Sequence, residues 1–494
     1  MFLLALAILA CVFAYTWWGR RTRRCLANLP SYPQLPLIGN FHQLFGDGRL
    51  LYRRLVEMTA ISEAQQLPFV LWLGPYPVLA LSNLDDIKIV TNTFIDKPYY
   101  YNFARIWLGD GLLTAPVETW KRNIKKLAGT FTGGTVEGFQ DVFNAQAQKL
   151  VRGLKTQIGK APFDVMQKYL AEITLEAICQ TALGVSKISD SIVTKEYYVA
   201  FVRTLELLQT RGMNCLLHSD LLFRLTSTRR ELMKSVGHLH RVSETVMKKR
   251  QEHEESIGND GFHNHCSEKS KGNFKSFLDI LIELNKKDPT FSTRQVRNEV
   301  DTIILAGQET VATTLFYTLM MIGCKPDVQD KLYAEMKEIF GESKREVTKE
   351  DLSRMSYCEA VINETLRLYP PAPGVLRYGD HELQLESCKV PKGTTYFINF
   401  WGVGRSKRYW GPDALDFRPE RWQAADIPAA ALLAFSTGKR ACIGKKYAMS
   451  ILKTVVAYCV RELVLISEAD KMEFKVDLAL RPISGNLLQV RLRD

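Results

Sequence analysis

The sequence predicts a mainly helical protein with small β-sheets, preceded by one N-terminal transmembrane helix. Three observations carry that expectation. Residues 1–19 are apolar and uncharged, and Arg20, Arg21, Arg23 and Arg24 follow at once. Residues 137–250, and again Val296 to Met321, show helical hydrophobic periodicity with few breakers. Strand signals are short by comparison: Phe69–Leu73 and Pro77–Leu81 flank a Gly-Pro-Tyr turn and read as a β-hairpin.

As a helix, residues 1–19 would span roughly 28 Å, close to the ~30 Å hydrocarbon core of a bilayer. Trp17 and Trp18 mark the interface, and the arginines that follow stay on the cytosolic side. The N-terminus is then lumenal and the rest of the chain cytosolic. A cleaved signal peptide fits less well, because there is no basic start and no small-residue cleavage site. Residues 20–40 are basic and then proline-rich (Pro30, Pro33, Pro36), which makes a stiff extended hinge rather than a helix. Residues 41–494 hold no linker and no repeat and read as one domain.

Ten cysteines without a Cys-x-x-Cys pair form no disulfide framework and point to a reducing compartment. The formal net charge of +12 is scattered rather than gathered, so it implies no nucleic-acid partner. Residues 251–274 are polar and read as an exposed loop. His253, His263, His265 and Cys266 lie there without zinc-site spacing or an apolar shell, so no zinc is expected.

The chemistry gathers at Phe435-Ser-Thr-Gly-Lys-Arg-Ala-Cys-Ile-Gly444. Cys442 sits between Gly438 and Gly444, just ahead of a mostly apolar helical run. Glycines admit close approach of backbone to a flat ligand, and a helix start favours thiolate over thiol. A thiolate held this way suits an iron ligand. The pattern Phe-x-x-Gly-x-Arg-x-Cys-x-Gly resembles the haem-thiolate loop of cytochromes P450.

Further motifs resemble that family in the right order. Ala306-Gly-Gln-Glu-Thr310 is similar to the oxygen-side helix motif, which implies that Glu309 and Thr310 deliver the protons that dioxygen needs on its way to water. Gly307 would keep the helix wall thin there. Glu364-Thr-Leu-Arg367 with Phe417-Arg-Pro-Glu-Arg421 resembles a buried core in which Glu364, Arg367 and Arg421 back the cysteine loop. The resemblance implies that Trp120, Arg377 and Arg440 hold the haem propionates. It also makes Phe435, Gly438 and Gly444 part of the cofactor's bed. One usual propionate arginine is replaced by Ile124, with Arg122 and Lys125 as candidate substitutes. Residues 93–118 resemble the substrate-covering loop, Leu385 to Phe400 a strand pair, and Pro482 to Gly485 the last substrate-touching loop. The stretch VINETLRLYPPAP is most similar to insect microsomal members of the clan that includes the fatty-acid hydroxylases.

The resemblance therefore implies a P450 fold over residues 41–494 and a haem-thiolate monooxygenase in the endoplasmic reticulum membrane. Its cofactor would be haem b with Cys442 as axial iron ligand. The haem would be non-covalent, since relatives that esterify it use a glutamate where this chain has Ala306. O2 would be co-substrate, with electrons from NADPH through NADPH-cytochrome P450 reductase and cytochrome b5 as a further partner. The substrate would be an apolar small molecule. Two rivals remain: a reductase-independent isomerase or dehydratase, and a non-catalytic haem sensor or ligand carrier.

Overall fold

Helices carry most of the chain. The computed structural model describes residues 20, 22–131, 133–184, 195–259, 276–288, 291–424 and 432–493. The longer helices are α1 (Gly48–Gln65), α2 (Leu84–Thr93), α3 (Val117–Leu127), α4 (Gln140–Lys155), α5 (Ala171–Ala182) and α6 (Lys195–Met213). They continue with α7 (Ser227–Asn259), α8 (Phe277–Lys287), α9 (Thr293–Cys324), α10 (Pro326–Phe340), α11 (Ser356–Leu368) and α12 (Lys445–Glu462). Side-chain caps set several of their starts. Asp47 accepts from the N–H groups of Arg49 and Leu50, Ser276 and Asp279 form a capping box, and Ser292 caps α9.

Helix α9 is the axis of the fold. Every residue from Val311 to Gly323 is buried, as a helix apolar on all sides requires. It packs against α5, α7, α11 and α12. The Phe69–Leu73 (β1) and Tyr76–Leu81 (β2) hairpin is present, turning at Gly74 with φ +66°. The remaining strands are β3 (Phe163–Asp164), β4 (Val375–Tyr378), β5 (Leu383–Gln384), β6 (Lys389–Val390), β7 (Thr395–Ile398), β8 (Leu463–Ser467), β9 (Glu473–Asp477), β10 (Ala479–Ser484) and β11 (Leu487–Leu492). One sheet runs β1-β2-β7-β4 with β2 and β7 parallel, and another runs β3-β11-β8. The β9–β10 hairpin is antiparallel, with Arg481 opposite Lys475.

The proline-rich stretch is docked rather than free. The Val70 N–H donates to the Pro30 carbonyl at 2.8 Å, and the buried Asn40 side chain accepts from Trp72 N–H at 2.8 Å. The expected anchor, residues 1–19, lies outside the described residues. Among the described residues, no helix is long and apolar enough to cross a membrane. Helix α7 runs to Asn259, so the first part of the stretch expected as a loop is helical. His263, His265 and Cys266 lie outside the described residues, as does the His253 side chain.

Candidate active site

The cysteine loop is held by its own backbone. The Cys442 N–H donates to Phe435 O at 2.8 Å, and Ser436 N–H donates to Leu433 O at 2.7 Å. Gly438 has φ +72°, and a Cβ there would lie 2.4 Å from the Thr91 carbonyl oxygen. Glycine is thus needed to seat the loop on α2. Helix α12 follows with no side-chain cap at Gly444. Burial pushes the Cys442 thiol up, and the Gly444 N–H and Lys445 only partly oppose this. Desolvation therefore outweighs the helix start that was expected to favour thiolate. The residue as a whole is nevertheless exposed. On α9, Ala306 and Thr310, one turn apart, are exposed among buried neighbours.

Around Arg440 of the cysteine loop lies a cluster of cations. The Arg440 guanidinium stacks 4.0 Å over the Trp120 ring, and its N–H groups donate to Ile95 O (3.1 Å) and Leu112 O (3.2 Å). Arg377 is 2% exposed, and one of its N–H groups donates to Leu376 O at 2.9 Å. Arg377 Nε and Arg440 Nη2 are buried with no partner. Burial and the nearby Arg377 lower Arg440 to about 10. Sequence reasoning missed the third member, Lys97, which stands 4.5 Å over the Tyr101 ring and donates to Leu113 O. Burial first, then Arg440 and Arg377, drive its pKa well down. Its only sequence signal was a lysine among the aromatics of residues 93–118. Ile124 packs against the core; Arg122 bonds its neighbour Asn123, and Lys125 is exposed. The basic residue that the structure brings to this cluster is Lys97.

The structure does not join Glu309 to Thr310. The Thr310 hydroxyl donates to its own helix at Ala306 O, 2.5 Å away, while Glu309 Oε1 accepts from Arg481 Nη2 at 2.7 Å. Arg481, on β10, is a second residue that sequence reasoning missed. Burial raises the Glu309 carboxyl above the ordinary carboxylate range, and Arg481 opposes this only in part. Gly307 lets α9 pack closely on α5: a Cβ there would lie 2.6 Å from Ile178 Cδ1.

Glu364, Arg367 and Arg421 are brought together in one buried cluster. Glu364 takes two bonds from Arg367 at 2.8 Å, one from Arg421 at 2.9 Å and one from Trp422 at 3.0 Å. Arg367 also donates to the carbonyls of Gly404, Ala414 and Asp416. The segment over the site is pinned to α9 by Glu299, which accepts from Leu112 N–H and from Asn123 and Gln295, all at 2.9 Å. Burial raises that carboxyl to about 7.

These residues can hold a flat dianion with a metal at its centre. The buried N–H groups of Arg377 and Arg440 are unspent, Lys97 adds a third cation, Trp120 supplies a ring, and Cys442 supplies a soft sulfur ligand. The sequence profile described as Cytochrome P450 matches residues 29–490. The chain belongs to the cytochrome P450 family, whose members are monooxygenase oxidoreductases that use haem and O2. It is similar to Cytochrome P450 4V2 of Homo sapiens, 31% identical over 503 residues covering 99% of this chain and 94% of the relative. It is also similar to insect members. Cytochrome P450 4c21 of Blattella germanica is 29% identical, with 99% of both chains covered. Cytochrome P450 4g1 of Drosophila melanogaster is 30% identical, with 95% and 90% covered.

Proposed function

We propose that this chain is a haem-thiolate monooxygenase that inserts one oxygen atom of O2 into an apolar small molecule: a fatty acid, hormone, semiochemical or xenobiotic. The observation that carries it is the pairing of the Cys442 thiol with a cluster of three cations that make no ion pair among the described residues. When bound, haem supplies a redox-active iron that activates O2. Cys442 would ligate that iron, with the Gly444 N–H favouring its thiolate form. Lys97, Arg377, Arg440 and Trp120 would hold the two propionates. Thr310 would pass protons from its hydroxyl, resupplied by the Glu309 carboxyl after that group leaves its present partner.

Electrons would come from NADPH through NADPH-cytochrome P450 reductase. Exposed Lys121, Arg122, Lys125, Lys439, Lys445 and Lys446 support this reading, because such a face steers an acidic partner. Of the basic residues on α3, Lys121 pairs with its neighbour Glu118 at 3.0 Å and Lys126 with Asp288 at 2.5 Å. An anchor at residues 1–19 would place the body on the cytosolic face of the endoplasmic reticulum. Exposed Leu35, Ile38, Leu216, Leu221 and Leu225 support a membrane-facing pose, and Phe41 lies against His218, 6.1 Å between ring centroids, where the two apolar segments meet.

The test is spectroscopic. The reduced carbon monoxide complex is expected to show the long-wave Soret band of thiolate ligation, and Cys442→Ala is expected to abolish it. Survival of the band in that variant would sink the assignment. Substrate-dependent NADPH consumption with a reductase then separates a monooxygenase from an isomerase or a haem sensor.

A further inference from the structure

Arg481 meets Glu309 because the end of the chain is fastened to the same helix. The Tyr317 hydroxyl, two turns beyond Glu309 on α9, donates to Leu480 O at 3.0 Å, and Leu480 N–H donates to Pro371 O at 2.9 Å. With Leu480 fixed, the next residue reaches Glu309, and the two side chains are only 17% and 10% exposed. Among the described residues, Arg481 is the sole ion-pair partner of Glu309. Tyr198 of α6 lies beside Arg481, Tyr317 lies nearby on α9, and Asp477 of β9, already paired with Lys475, is the next carboxylate. No second cation faces Glu309 from these elements.

We propose that Arg481 is the positioning residue of the proton relay, holding the Glu309 carboxylate ionised and turned away from Thr310 until β10 shifts. The inference rests on the relay reading of Glu309 and Thr310 given above. A carboxylate held by a guanidinium is a poor shuttle: it must leave Arg481, take a proton from water, and give that proton to the Thr310 hydroxyl chain. Each cycle returns the same carboxylate and consumes one solvent proton. Pro482–Ser484, expected as a loop, instead continue the strand that carries Arg481, so a ligand that displaces this stretch also moves the partner of Glu309. An ordered β10 therefore keeps protons from the oxygen side while no substrate is present. Because the pair is nearly desolvated, removing the cation leaves a carboxylate that takes up a proton instead.

Infrared difference spectroscopy on the holoenzyme reads that proton without turnover. Wild-type protein near neutral pH is expected to lack the protonated-carboxyl band that Glu309→Gln would remove. Arg481→Met is expected to acquire that band, with its midpoint displaced upward by on the order of one pH unit or more. Arg481→Lys should restore the wild-type spectrum. The pH profile of peroxide released per NADPH should shift in the same direction in Arg481→Met. An unchanged band, or a lysine variant that behaves as methionine does, overturns the proposal. If Glu309→Gln and Thr310→Ala leave coupling untouched, the relay reading itself fails. If they change coupling while Arg481→Met does not, only the present inference fails. Should Arg481→Met not fold, the Glu309→Gln/Arg481→Met double variant decides, since regained haem incorporation supports the pairing and continued loss overturns it.

Discussion

Two buried charge clusters stand in the molecule, and they are built on opposite terms. In one, Arg367 and Arg421 are matched by Glu364 and Asp413, with carbonyls and Trp422 completing the bonds. In the other, Lys97, Arg377 and Arg440 have no ion-pair partner among the described residues, and two of their N–H groups are unspent. Among the described residues, Asp96 is the carboxylate near enough to influence Arg440. The closed cluster is complete without a ligand and so supports the fold. The open one repels itself until an anion arrives, which marks a binding site.

The sharpest way to break the comparison is to unbalance the closed cluster. Glu364→Gln leaves two buried guanidiniums short of a partner, and the expected cost is about 3–5 kcal/mol. It should be read as lost folded protein or a lower Tm, with or without haem. A change confined to the haem-bound form would contradict a purely structural role.

Unbalancing the open cluster should do the reverse. Lys97→Met is expected to speed haem loss roughly tenfold or more, the worth of a charge-assisted hydrogen bond. The haem-free protein should be no less stable, because a repelling cation has gone. Its pH dependence tests the same point. The folded pKa of Lys97 is depressed by burial and by the two arginines, so between that value and the ordinary one for lysine the unfolded chain binds the extra proton. Haem-free stability should therefore rise with pH across that window, and Lys97→Met should flatten the rise. Urea titrations at several alkaline pH values would measure it.

The smallest effect comes from completing the open cluster. Ile124→Arg adds a cation one turn from Trp120, in a position only partly buried, so it should slow haem loss by no more than about fivefold. It should also slightly destabilise the haem-free form. An unchanged loss rate would mean that Lys97 already supplies what position 124 lacks.

Much of this was legible in the sequence. Helical periodicity marked the length of α9, and the apolar runs about Gly74 marked the hairpin, because burial on one face or all round leaves a period in the residues themselves. The spacing about Cys442 marked the loop, and the acid and arginines of the closed cluster could be named from their resemblance to the family's motifs, although by local pattern alone Glu364 and Arg367 are an ordinary i, i+3 pair. What stayed hidden was every pairing across long separations. Lys97 and Arg440 meet only because residues 95–113 fold back over α2 and the loop. Glu309 could be read as an acid beside a threonine, but its ionic partner lies on β10, and helix geometry turns the carboxylate there while the Thr310 hydroxyl bonds its own backbone. Gly307 and Gly438 could be read as glycines, but only packing shows that Ile178 and Thr91 are what a side chain would strike. Residue types and local spacing determine which groups can bind a metal, a proton or an anion. Which of them are already neutralised, and so which remain available for chemistry, is decided by distance and desolvation in the folded chain.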